Sequence, residues 1–63
     1  MAQYSVKAST GASAGKFSAQ VKMGSRIVVL SGDDLTEVQA QTVCVAHAGQ
    51  QGQLLSIAEI TKV

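Results

Sequence analysis

A chain of 63 residues with five Lys/Arg, four Asp/Glu and a net charge of +1 is one small domain, spanning 1–63, without a strong charge bias. It is 46% hydrophobic yet only 3% aromatic and 14% charged, against the roughly 25% charge of an ordinary globular domain. These figures exclude a multi-domain enzyme, a strongly basic nucleic-acid tail and a disordered acidic tail.

Gln3 to Ala8 alternates strictly, with Tyr4, Val6 and Ala8 on one side and Gln3, Ser5 and Lys7 on the other. Lys16 to Met23 does the same, opposing Phe17, Ala19, Val21 and Met23 to Lys16, Ser18, Gln20 and Lys22. A period of two predicts strands with one buried and one wet face. The small-residue run Ser9 to Gly15 between them reads as a flexible hairpin loop. Gly24-Ser25 then turns the chain into Arg26 to Leu30, whose apolar residues on both faces predict a central strand covered twice.

Ser31 to Glu37 reads as a helix start, with Asp34 and Glu37 in capping-box spacing. Leu35, Val38, Thr42, Val45, Ala46 and Gly49 fall on one helical stripe, taken as the core face, and Gly49 is a plausible stop before a Gln50–Gly52 turn. Leu54 to Val63 is expected to be a last strand with a bulge near Ala58-Glu59. The order is β-β-β-α-β, an α+β fold with one helix on one face of a small antiparallel sheet. The β-branched run Thr42-Val43-Cys44-Val45 is poor helix material, so an all-β alternative has a strand over Thr42–Ala48 instead.

No catalytic, cofactor or metal set emerges. Gly11 to Ser18 superficially resembles a phosphate-binding loop, but its glycines are too close, Phe17 stands where a hydroxyl is needed, and a strand pattern follows. Cys44 and His47, one helical turn apart, are two ligands where a tetrahedral metal needs four, and they lack a third group to orient a nucleophile. Asp33 and Asp34 suit helix capping. A single cysteine forms no internal disulfide; with no apolar run near 18 residues and no signal-peptide pattern at Met1, it points to cytoplasmic synthesis without a membrane span.

A domain this small buries only about 60% of its unfolded surface, so association is an expected source of stability. On the helix, Ala40, Val43, Cys44, His47 and Ala48 are expected to face outward and form an apolar protein interface. Every charge before residue 33 is positive (Lys7, Lys16, Lys22 and Arg26), whereas four acids and one lysine follow. Those cations would set electrostatic register between copies or, in a second reading, hold a nucleic-acid backbone. The leading expectation is a small non-enzymatic structural or assembly protein, acting as a homo-oligomer or docked subunit. Its charge- and aromatic-poor composition suits a virion or phage accessory, such as a capsid-decorating protein. A third reading is an inhibitor that adds Leu54–Val63 to a host protein's sheet edge.

Overall fold

The computed structural model describes residues 2–63 and has an α+β architecture. Strands β1 (Gln3–Ala8), β2 (Phe17–Met23) and β3 (Arg26–Val29) precede one helix, α1 (Glu37–Gln50), and a two-residue strand β4 (Thr61–Lys62). Short 3-10 turns lie at Gly11–Ser13 and Ile57–Glu59. The sheet order is β3-β2-β1-β4. The first three strands form antiparallel hairpins, but β4 runs parallel to β1, with Ser5 beside Thr61 and Val6 beside Lys62. The sheet is therefore mixed, because the chain crosses over through α1 before it reaches β4 and so returns in the direction of β1.

The alternation in β1 and β2 sets which face is buried. Tyr4, Val6, Ala19 and Val21 point to the helix side and are essentially inaccessible. Ile60 joins them, with Phe17, Val28, Leu30, Leu35 and Leu55 packed at the margins. The β2–β3 connection is the two-residue turn Gly24-Ser25, and Gly24 has φ 63, the positive φ that the first central position of a type II′ hairpin demands. That turn fixes the register: Met23 pairs with Arg26, Lys22 with Ile27, Val21 with Val28 and Gln20 with Val29.

Arg26–Leu30 is not a central strand. Among the described residues no further strand lies beyond β3, and Ile27 and Val29 stay 58% and 62% exposed. The one helix of the described residues covers the face of Tyr4 and Val21 and leaves the other face open.

The segment Thr42–Ala48 is helical rather than a strand. Its β-branched residues cost little helix propensity compared with what burial returns, and the Thr42 hydroxyl donates to the Val38 carbonyl at 2.8 Å. The helix starts two residues later than Asp34 suggests, because Leu35 is held in an isolated bridge to Phe17. Thr36 is the cap: its hydroxyl accepts from the Gln39 N–H (3.2 Å), and the Gln39 side-chain oxygen accepts from the Thr36 N–H (3.0 Å). The stop lies beyond Gly49. Gly52, at φ 76, ends the helix as the Gln53 N–H reaches the Ala48 carbonyl and the Gly52 N–H that of Gly49, a Schellman pairing.

The expected strand over Leu54–Val63 shrinks to Thr61–Lys62. In place of a bulge at Ala58-Glu59 there is the 3-10 turn, held because the Glu59 carboxylate accepts from both the N–H (3.0 Å) and the hydroxyl (3.1 Å) of Ser56. These two bonds hold the Glu59 carboxyl below the usual glutamate range.

Candidate interaction surface

The helix faces the opposite way from the expected one. Ala40, Cys44 and Ala48, expected on an outer interface, have no exposed surface and lie on β1 and β2. Val43 and His47 are half-buried, while Val38 (68% exposed), Thr42, Ala46 and Gly49, expected in the core, face solvent. The reason is size. Residues at i, i+4 and i+8 with short side chains form a shallow line, and that line lets the helix backbone settle onto a sheet already filled by Tyr4, Val6 and Val21. Valine at these positions would hold the helix off. The outward surface of α1 is thus Val38, Gln39, Thr42, Ala46, Gly49 and Gln50, mostly small or polar, with Val38 its large apolar side chain.

Cys44 and His47 are separated in chemistry as well as in facing. The Cys44 thiol is buried and donates to the Ser5 carbonyl at 3.6 Å. Burial pushes its pKa up, and a backbone hydrogen bond at Gln20 opposes this without reversing it, so it stays a neutral thiol and a poor nucleophile. His47 instead meets Tyr4: the tyrosine hydroxyl donates to Nδ1 at 2.8 Å when the ring proton is on Nε2, and the rings are tilted at 60°. This bond satisfies the one polar atom that Tyr4 brings into the core. Burial first, and the nearby Cys44 second, raise the Tyr4 pKa. Among the described residues no three His, Cys, Asp or Glu side chains converge as a metal site.

The uncovered sheet face is the surface with unspent chemistry. Its positions follow from the strand register: Gln3, Ser5 and Lys7 of β1, Ser18, Gln20 and Lys22 of β2, Ile27 and Val29 of β3, and Thr61 with Val63 by β4. Ser5, Ser18 and Gln20 at its centre are nearly inaccessible because longer neighbours stand around them. Two shallow hollows share Gln20. One, of about 200 Å³, lies between Lys22, Ile27 and Thr61; the other, about 350 Å³, lies between Lys7, Val29 and Asp33.

Of the four expected cations, Lys7 and Lys22 stand on this face, and Lys16, just before β2, shares its alternation. Arg26 does not: it pairs with Met23 and belongs to the helix side. Lys62 is also on the helix side, where it pairs with Glu37 at 2.6 Å. The residues that the sequence reading missed are Ile27 and Val29. Their signal was present, since a two-residue turn at Gly24-Ser25 places them directly across from the wet residues Lys22 and Gln20.

Comparison with protein-family models, curated proteins and solved structures gives no significant match to this chain. Among the described residues no helix is long and apolar enough to cross a membrane.

Proposed function

We propose that this protein is a non-enzymatic structural or assembly module that works through the helix-free face of its sheet and the adjoining β3 edge. One observation carries the reading: β3 ends the sheet, and its alternate residues Ile27 and Val29 expose more than half their surface on the uncovered face. Natural edge strands are usually blunted by lysine, proline or a bulge. Within β3 the only charge is Arg26 at its first position. Exposed apolar side chains beside unpaired backbone groups suit burial by another chain. A composition poor in charge and aromatics fits repeated packing, as in a virion shell, and the association also supplies stability that a domain of this size lacks.

Native mass by light scattering, across concentration and salt, tests this. A concentration-dependent oligomer that Ile27→Lys abolishes is the expected result; a monomer at every concentration overturns self-assembly.

A second reading rests on Lys7 and Lys22, which share the uncovered face, and on Lys16 just before β2, while no acid stands at the strand positions of that face. Such a face could follow a nucleic-acid backbone. It requires binding to duplex or single-stranded DNA at low salt that falls steeply as salt rises, and no low-salt binding ends it.

A further inference from the structure

Resting on the assembly reading, we infer that the partner at the β3 edge is a second copy of this chain, added antiparallel across a two-fold axis at Val28 to make one continuous eight-stranded sheet. The backbone directions set the register. The Leu30 N–H donates inward to the Ala19 carbonyl at 2.8 Å. Antiparallel ladders alternate, so Val28 and Arg26 also bond toward β2, while the N–H and C=O groups of Ile27 and Val29 point away from the sheet.

Two outward-pointing residues spaced by one are self-complementary under a two-fold. Ile27 of each copy pairs with Val29 of the other, giving about four backbone hydrogen bonds. Residues directly opposite share a face, so the four exposed side chains, an isoleucine and a valine from each copy, meet as one apolar cluster on the open side. The same geometry keeps like charges apart: Arg26 falls opposite the other copy's Leu30, whereas parallel pairing would bring arginine against arginine. The β4 edge offers no equivalent, because it is two residues long and carries Lys62.

The test is cysteine cross-linking together with native mass. Across the axis Val28 faces its own copy as a non-hydrogen-bonded pair, about 4.5 Å between Cα atoms, within disulfide reach. Val28→Cys is expected to give a covalent dimer on mild oxidation. Val38→Cys, exposed on the helix, and the native chain, whose thiol is buried, are expected not to. Val29→Pro deletes an outward N–H that β2 does not use, so it should weaken dimerisation tenfold or more while circular dichroism stays native. Oligomers that persist in Val29→Pro, with no cross-linking of Val28→Cys above the Val38→Cys level, overturn the β3 pairing and leave the assembly reading standing. A monomeric native chain overturns both. Should Val28→Cys lose the native dichroism, Val29→Pro decides alone.

Discussion

The two faces of this sheet are built from the same three hairpin strands and end in opposite conditions. On the helix side Tyr4, Val6, Ala19 and Val21 lie under Ala40, Cys44 and Ala48 with almost no surface left to water. On the other side Ser5, Ser18 and Gln20 are shielded only by their taller neighbours, and Ile27 and Val29 are open. The closed face teaches that a thin core of alanine and valine suffices when helix and sheet approach closely. The open face shows the cost of that economy: one helix covers one side and leaves the apolar Ile27 and Val29 on the other open to solvent.

The largest break of this comparison is Ala48→Glu. It places a carboxylate without a partner at a fully buried site, at a cost of several kcal/mol, more than a marginal domain can absorb. Loss of the cooperative thermal melt is expected by circular dichroism, whereas Lys22→Glu on the open face should move stability by less than about 0.5 kcal/mol. A folded Ala48→Glu monomer would return the helix to the orientation its sequence suggested.

High pH acts on the closed face. Tyr4 and Cys44 both have pKa values raised by burial, so the folded chain holds their protons after the unfolded chain has released them. Their contribution is complete below the unfolded values and fades as pH climbs above about 9 to 10. Urea midpoints at pH 7, 9 and 10 should therefore fall in order, and Cys44→Ala should flatten the first step. An unchanged midpoint at pH 10 would mean that these groups are hydrated.

Smaller still is Tyr4→Phe, which removes the hydroxyl bonded to His47. A loss of about 0.5–1.5 kcal/mol at unchanged denaturant slope is expected, since His47 is half-exposed and can turn to water. Smallest is Lys62→Ala, which breaks an ion pair whose lysine is 63% exposed. Its effect should stay under about 1 kcal/mol and vanish in high salt.

How much of this was legible in the sequence depends on the scale at which the signal operates. Strict alternation over Gln3–Ala8 and Phe17–Met23 reports sidedness directly, and both strands and their core residues follow from it. The helix was legible as an element but not in its orientation. Apolar residues ring α1, so period alone selects no face, and the deciding property is the shortness of Ala40, Cys44 and Ala48. The position of β3 at an edge belongs to tertiary arrangement: Ile27-Val28-Val29 reads as doubly buried, although the described residues hold no second layer to bury it. The parallel strand Thr61–Lys62 is too short for any periodicity.

That last strand has a kinetic consequence. Its ladder joins position 5 to position 61, whereas the β1–β2 and β2–β3 hairpins close over short loops. Distant pairings pay the larger closure entropy before any contact repays it. The hairpins and helix can therefore organise early, and β4 docks as the final step and opens as the first. The amides of Ala8 and Val63, which bond across this seam at 3.2 and 2.9 Å, would then exchange with solvent hydrogen through brief local openings, while those at the centre of β2 wait for the whole domain to unfold.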